Sequence, residues 1–120
     1  MRHILFTLKE CPFGLLDDEA HIRNVLANAA QLSESTLLDI SSHKFSPCGV
    51  TAVALLAESH ISIHTYPEVL RFSIDCYSCK AFDQAPVIKL LKEYFGAVRY
   101  TSSMVERGVE QHSSVVPGTG

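Results

Sequence analysis

The alternation of apolar and polar residues predicts a chain of short strands with two helices. Two segments, residues 15–32 and 82–95, repeat apolar residues every three or four positions, which is typical of amphipathic helices. Six segments alternate with a period of two or are almost uniformly apolar, as strands are. These strand segments are residues 3–9, 35–45, 49–57, 60–66, 69–78 and 97–107. The order predicts an α+β fold, a two-layer sandwich in which a mostly antiparallel sheet carries both helices on one face.

Local signals set the ends of these elements. Asp17 and Asp18 are expected to be the N-cap and a first-turn acid of the first helix. Pro86 suits the first turn of the second helix, and Gly96 is expected to end it. The segment 49–57 is apolar at nearly every position, so we expect it to be a central strand of the sheet.

The chain is expected to form one domain. Its 120 residues are enough for a single hydrophobic core, and no repeat or linker interrupts residues 1–107. Residues 108–120 are polar and rich in small residues, so we expect a flexible carboxy-terminal tail.

Composition excludes several function classes. A net charge of −3 offers no basic excess, which argues against nucleic acid as a partner. The longest apolar run, residues 50–57, is too short to cross a bilayer, so no membrane association is expected. We therefore predict a cytoplasmic protein whose four cysteines are free thiols.

The stretch "ESHISIHTYPE", residues 58–68, is unusually polar for a strand near the centre of the fold. His60, Ser62 and His64 fall on one strand face, because side chains alternate between faces. A metal held by the two histidines with His43 or Cys79 is one interpretation, and a solvated strand face is the other. Without a third ligand nearby in sequence, we predict no metal site.

Other familiar motifs are absent from the sequence. Cys76 and Cys79 form a C-x-x-C, but it lies in a strand-like run and has neither a second C-x-x-C nor the context of a thioredoxin motif. No G-x-S-x-G, H-E-x-x-H or glycine-rich phosphate loop occurs, so the common hydrolase, metalloprotease and nucleotide-binding templates do not apply.

Two blocks together carry a family resemblance. "FSPCGVTAVALLAESHISIHTYPE" (45–68), followed by "IDCYSC" (74–79), resembles the core of the short bacterial and archaeal S-adenosylmethionine decarboxylases. In that family an F-S-P-x-G-V entry leads to E-S-H, then I-H-T-W-P-E, then D-x-x-x-C. The resemblance spans roughly residues 2–107. It implies a decarboxylase that makes the aminopropyl donor for spermidine, working as a homodimer of self-cleaved protomers.

The resemblance implies that the enzyme makes its cofactor from its own backbone. The Ser59 hydroxyl would attack the carbonyl of Glu58, and elimination from the resulting ester would leave a pyruvoyl group at the head of the second fragment. The mature protomer would consist of chains 1–58 and 59–120. A pyruvoyl group forms a Schiff base with the substrate amine and accepts the electrons released by decarboxylation.

Further roles follow from position in the family pattern. His64 matches the histidine that acts as acid or base in self-cleavage, and Cys79 matches the thiol that protonates the product α-carbon. Thr51 stands where the family has a serine that assists processing; it keeps the hydroxyl but adds a methyl group. An ideal strand would put Ser59 and His64 on opposite faces, so the proposal requires a turn or bulge at residues 58–60.

The resemblance also assigns a substrate site. Phe45 matches a ring expected to stack on adenine, Glu68 matches an acid in the same site, and Tyr66 replaces the usual tryptophan. This change leaves open the same chemistry on arginine or ornithine instead of S-adenosylmethionine. Thr51 leaves open an uncleaved, non-catalytic regulatory homologue. A metal-binding module using His60, His64 and Cys79 is the most distant alternative.

Overall fold

The computed structural model describes residues 2–57, 59–78, 84–97 and 99–107. The predicted tail, residues 108–120, lies outside the described residues. Within the described residues, six strands and three helices follow one another. They are β1 (Arg2–Lys9), α1 (Phe13–Leu16), α2 (Glu19–Leu32), β2 (Leu37–Lys44), β3 (Val50–Leu56), β4 (His60–Tyr66), β5 (Arg71–Ser78), α3 (Gln84–Phe95) and β6 (Arg99–Glu106), with a short 3₁₀ turn at Pro67–Val69 between β4 and β5.

The strands form one sheet in the order β2-β3-β4-β5-β1-β6. Every neighbouring pair is antiparallel, which confirms the predicted α+β sandwich. The expectation that β3 is a central strand is confirmed only in part, because β3 pairs with strands on both sides but the helices leave one of its faces uncovered. Strand β3 is next to the edge strand, and its Val53 and Leu55 side chains are 37% and 52% exposed. The helices cover one face only, so only alternate residues of β3 are buried.

The core lies between the sheet and helices α2 and α3. The strands contribute Ile4, Phe6, Leu8, Ala52, Ala54, Ile61, Ile63, Phe72 and Ile74, and the helices contribute Ile22, Val25, Leu26, Ala29, Ala30, Val87, Leu91 and Phe95. The Phe95 ring of α3 packs on the Phe72 ring of β5 with 4.4 Å between centroids. Burying each large apolar side chain of this kind stabilises the fold by about 1.5–3 kcal/mol. Among the described residues, no helix is long and apolar enough to cross a membrane.

The predicted helix at 15–32 is two helices in the structure. Asp18 is the N-cap of α2, where its carboxylate accepts a hydrogen bond from the His21 backbone at 3.1 Å, and Glu19 is the first-turn acid. Asp17 instead ends α1, and its carboxylate accepts the Gly49 N–H at 2.8 Å. Periodicity alone does not show which of two adjacent aspartates ends α1 and which one caps the start of α2. Gly96, with φ +59°, follows the last residue of α3 as predicted.

The other sheet face, here called the outer face, carries a mixture of polar and apolar side chains. In register across the strands, its members are Thr51, Val53 and Leu55 of β3, His60, Ser62, His64 and Tyr66 of β4, Arg71, Ser73, Asp75 and Tyr77 of β5, and His3, Leu5, Thr7 and Lys9 of β1. The described members are exposed or half-buried, unlike the side chains of the helix-covered face.

Candidate active site

The predicted cleavage position lies in the connection between β3 and β4. The two strands are antiparallel neighbours, with β3 ending at Leu56 and β4 beginning at His60. The Leu56 N–H donates to the Ser59 carbonyl at 2.9 Å, so the chain reverses direction within these residues. A turn therefore lies near the expected position, but it does not bring Ser59 next to His64. Glu58 itself lies outside the described residues.

The Ser59 hydroxyl is in an unusual environment. Its Oγ is buried and, within the described residues, has no hydrogen-bond partner. A buried hydroxyl without a partner costs about 1–3 kcal/mol, so such groups are selected against unless they serve a purpose. A serine oxygen held in a turn without competing hydrogen bonds is suited to attack a neighbouring carbonyl.

Thr51 and His64 lie together on the outer face. They are directly opposite each other in the β3–β4 register, and Thr51 Oγ1 is hydrogen-bonded to His64 Nδ1 at 3.1 Å. This contact leaves Nε2 of His64 available for proton transfer. Ser73 stands opposite His64 on β5, and both line a depression of about 210 Å³ between β4 and β1. The structure therefore brings together two of the residues that the sequence assigned to self-cleavage.

The predicted substrate residues gather at one end of the sheet. Phe45 begins the loop between β2 and β3, and Glu68 lies in the turn between β4 and β5. Cys48 Sγ lies 3.8 Å from Glu68 Oε1, which joins the two loops. Phe45 and Tyr66 are 46% and 42% exposed, so their rings are accessible to a ligand. This arrangement suits an aromatic ligand with a positive charge.

The loop that carries Phe45 is tied to the helix layer. Phe45 N donates to Gly49 O at 2.8 Å, and Gly49 adopts φ +110°, a conformation that glycine tolerates best. The Asp17 carboxylate holds both the Gly49 N–H and the Lys44 ammonium, at 2.8 and 3.0 Å. The Gly49 hydrogen bond and the Lys44 ammonium lower the pKa of Asp17. The carboxylate is therefore charged at neutral pH and fixes the loop.

Within one chain, Ser59 lies far from Thr51, His64 and Phe45. His64 comes five positions after Ser59, so at roughly 3.3 Å per strand residue their Cα atoms are about 16 Å apart. His64 lies on the outer face of β4, whereas Ser59 lies in the connection that precedes this strand. Within one protomer, the cleavage position and the group containing Thr51, His64 and Phe45 occupy opposite ends of the sheet.

Of the two cysteines in the C-x-x-C, the structure describes only Cys76. Cys76 is buried beneath the helices, and burial raises the pKa of its thiol to about 12. Such a thiol is neutral and inert at neutral pH. Cys79, the predicted proton donor, lies outside the described residues. Partial desolvation and the Glu68 carboxylate raise the pKa of Cys48, so that thiol is also protonated.

The metal interpretation based on His60 and His64 does not fit the geometry. His64 comes four positions after His60, so their Cα atoms are about 13 Å apart along the strand, which is too far for one ion. They also have different partners, because His64 pairs with Thr51 whereas His60 lies 3.4 Å from Asp75.

Sequence reasoning missed a polar cluster on the outer face beside Ser59. Asp75 accepts hydrogen bonds from Ser62 and His3, and His60 is its third neighbour. Burial raises the pKa of Asp75, but these hydrogen bonds and the nearby histidine rings outweigh it and keep the pKa below its usual value. Strand alternation indicated that His60 and Ser62 share a face, but their pairing with Asp75 depends on a register that the sequence does not specify.

The sequence of the chain is similar to a known family of enzymes. The family model described as S-adenosylmethionine decarboxylase matches residues 2–108. The S-adenosylmethionine decarboxylase proenzyme of Prochlorococcus marinus (strain MIT 9313) is 38% identical over 109 residues, covering 88% of this chain and 86% of the relative. That of Methanococcus aeolicus is 35% identical over 108 residues, covering 89% and 92%. The match to the Synechococcus sp. (strain WH7803) proenzyme is 46% identical but spans 61% of that relative's length.

Solved structures give the same answer for the fold. The crystal structure of the adenosylmethionine decarboxylase from Aquifex aeolicus superposes with a TM-score of 0.81 at 31% identity, covering 96% of both chains. The Trypanosoma brucei AdoMetDC-delta26 monomer superposes with a TM-score of 0.64 at 16% identity, covering 84% of this chain and 44% of the other. The second likeness is one of fold alone.

Proposed function

Because the chain belongs to the S-adenosylmethionine decarboxylase family, we propose that it is a self-processing, pyruvoyl-dependent decarboxylase of S-adenosylmethionine. The observation that carries this proposal is the Ser59 hydroxyl, buried without a hydrogen-bond partner among the described residues, in the turn between β3 and β4. The relatives are named as proenzymes, which is consistent with a chain that must be cut before it works.

Self-cleavage follows from ordinary acyl chemistry at this turn. Ser59 Oγ attacks the Glu58 carbonyl carbon, the C–N bond breaks, and the proton passes to the new amine, which leaves an ester. Loss of the Ser59 α-proton then expels the Glu58 carboxylate and leaves dehydroalanine. Water replaces its nitrogen, and ammonia departs. The resulting pyruvoyl group supplies an electron sink for decarboxylation.

His64 and Thr51 supply the proton transfers in this proposal. A histidine suits acid and base work near neutrality, and the Thr51 hydroxyl holds its ring through Nδ1 at 3.1 Å. The threonine thereby takes the role of the family's serine. This contact favours a processing-competent chain over an uncleaved regulatory homologue.

We expect Thr51→Val to slow self-cleavage and Thr51→Ser to preserve it. Valine keeps the shape of threonine but removes the hydroxyl, so the His64 ring loses its partner. General acid–base catalysis contributes about 10²–10⁴-fold, so misorienting the histidine should slow cleavage by about tenfold or more. The fraction of intact chain over time, followed by mass spectrometry of freshly made protein, measures this. Equal rates for the two variants would contradict the role given to Thr51.

A homodimer completes the site in this proposal. Ser59 lies at one end of the sheet and His64, Phe45 and Glu68 lie towards the other, so one chain does not assemble them. The outer face exposes apolar side chains, including Val53, Leu55 and Leu5, beside its polar residues. If two outer faces pack about a two-fold axis that runs perpendicular to the strands, the Ser59 end of one protomer meets the His64 end of its partner.

The substrate assignment rests on the end of the sheet where Phe45, Tyr66 and Glu68 lie. The exposed ring of Phe45 can stack on adenine, and Tyr66 adds a second accessible ring. Glu68 offers a carboxylate to a sulfonium cation or a ribose hydroxyl. Cys79 is proposed to return a proton to the α-carbon after carbon dioxide leaves. The product would be the aminopropyl donor for spermidine synthesis.

Carbon dioxide release from labelled substrates tests this function. We expect the cleaved protein to decarboxylate S-adenosylmethionine, and to release little or nothing from arginine or ornithine under matched conditions. Preference for either basic amino acid would keep the chemistry and replace the substrate. A cleaved protein inactive on all three would overturn the proposed activity, and a chain that is never cleaved would indicate a regulatory homologue.

A further inference from the structure

A hydrogen-bonded cluster surrounds Asp75 on the outer face, at the end of the sheet nearest Ser59. Asp75 Oδ2 lies 2.5 Å from His3 Nε2 and 3.4 Å from His60 Nε2, and Oδ1 accepts the Ser62 hydroxyl. The donors come from β1 and β4, the two strands on either side of the Asp75 strand. A carboxylate offers about four lone-pair directions, so one aspartate can serve all three donors.

Arg107 determines which nitrogen of His3 carries the proton. Its Nη1 donates to His3 Nδ1 at 3.0 Å, and arginine has no acceptor, so Nδ1 must supply the lone pair. The neutral ring then bears its hydrogen on Nε2 and donates it to Asp75. The guanidinium also lies over the Tyr77 ring at 4.7 Å, which holds it in place.

This tautomer argues against a metal site at the same place. His3, His60 and Asp75 have ligand atoms within 4.8 Å of one another, a spacing that a metal ion could use. A metal would need the Nε2 lone pair of His3 and a hydrogen on Nδ1 for an acceptor. Arg107 presents a donor to Nδ1 instead, so the arrangement fits a hydrogen-bond network.

The network holds the part of β4 that follows the proposed cleavage position. His60 is the residue directly after Ser59, and Ser62 is the next side chain on the same face. Both acyl shift and elimination depend on the placement of Ser59, whose Oγ must reach a carbonyl and whose α-proton must be removed. Fixing His60 through its side chain restrains Ser59, and the restraint persists after the bond to residue 58 is cut.

We propose that Asp75 is a positioning residue for self-cleavage, acting through His60 and Ser62 on Ser59. This inference rests on the proposed function, since it requires that the chain is cut at Ser59. It assigns a task to Asp75, His60 and Ser62, to which neither the family resemblance nor the proposed chemistry gave a role.

The experiment follows the intact chain by mass spectrometry in freshly made wild type, Asp75→Asn, His60→Ala and the double variant. We expect each single variant to be cleaved about tenfold more slowly, as the loss of a charge-assisted hydrogen bond predicts. The double variant should be cleaved no more slowly than the slower single variant, because Asp75 acts on Ser59 through His60. Independent structural damage would instead multiply the two effects.

Glu93→Gln is the matched control, because it removes an exposed carboxylate from helix α3, on the opposite side of the sheet from the outer face. We expect wild-type cleavage from it. Thermal unfolding midpoints of all variants separate slow cleavage from lost fold, and Ser62→Ala, which preserves the carboxylate, tests the network should Asp75→Asn fail to fold. Wild-type rates in Asp75→Asn, or in both His60→Ala and Ser62→Ala, would overturn the inference.

Two further outcomes are distinguishable from these. If wild type itself remains a single 13.2 kDa chain, the proposed function fails and this inference fails with it. If a chelator slows wild-type cleavage and added Zn²⁺ restores it, the cluster is a metal site and the hydrogen-bond role is wrong. We expect neither reagent to change the rate.

Discussion

Ser59→Ala leaves the chain in one piece, because no other atom can supply the oxygen that takes the acyl group from nitrogen. Wild type is expected to give two fragments that meet between residues 58 and 59, the second lighter by one ammonia than an unmodified serine fragment. Denaturing mass spectrometry of freshly purified and aged samples measures both results. The variant should remain at full length in each, because hydrolysis of an ordinary peptide bond is negligible on that timescale.

Two other variants make the result specific. Ser41→Ala removes a hydroxyl from exposed strand β2 and should be cleaved like wild type. Cys79→Ala should also be cleaved but should decarboxylate poorly, because its thiol acts only after the pyruvoyl group exists. Fragments at residue 59 from Ser59→Ala would contradict self-cleavage by this hydroxyl. Full decarboxylase activity from Cys79→Ala would remove its assignment as proton donor.

Much of the fold could be predicted because local and tertiary preferences agree in this sequence. The period-two strands and the apolar stripes of α2 and α3 each bury one face, so their pattern reports the layer they occupy. The errors occurred where the pattern was ambiguous. Adjacent Asp17 and Asp18 cap different helices, and apolar Val53 and Leu55 lie on the uncovered face, which only the packing of the whole sheet decides.

For the candidate site, the sequence supplied candidate residues but little of their geometry. The family resemblance assigned Thr51 and His64 to self-cleavage, and the sheet register places them in hydrogen-bond contact. Spacing could not reveal that Asp75 connects His3 to His60, since these residues are far apart in sequence and meet only through strand pairing. Nor could it reveal that Ser59 lies far from His64 along the same strand, a separation that changes how the site must be assembled.

Because Ser59 and His64 lie far apart in one chain, two variants that are not cleaved alone are expected to restore cleavage when they form mixed dimers. His64→Ala alone and Ser59→Ala alone should each remain uncleaved. When they are co-expressed, mixed dimers combine the Ser59 of one chain with the His64 of the other, so the His64→Ala chain should be cut. Roughly half of the His64→Ala chains should be cleaved if pairing is random between equal amounts of two chains in a two-fold dimer. A tag on one chain identifies the fragments by mass.

The control replaces Ser59→Ala with a chain carrying both Ser59→Ala and His64→Ala. The mixture then contains Ser59 but no His64, and no fragments should form. Fragments from His64→Ala alone would show that this histidine is dispensable for cleavage. Failure of the first mixture, with dimers present by light scattering, would mean that Ser59 and His64 act within one protomer. The loop between β3 and β4 would then have to move through most of the length of β4, breaking the Leu56–Ser59 hydrogen bond and the adjoining ladder. Assembly from two chains requires no such rearrangement, and for that reason we expect restoration.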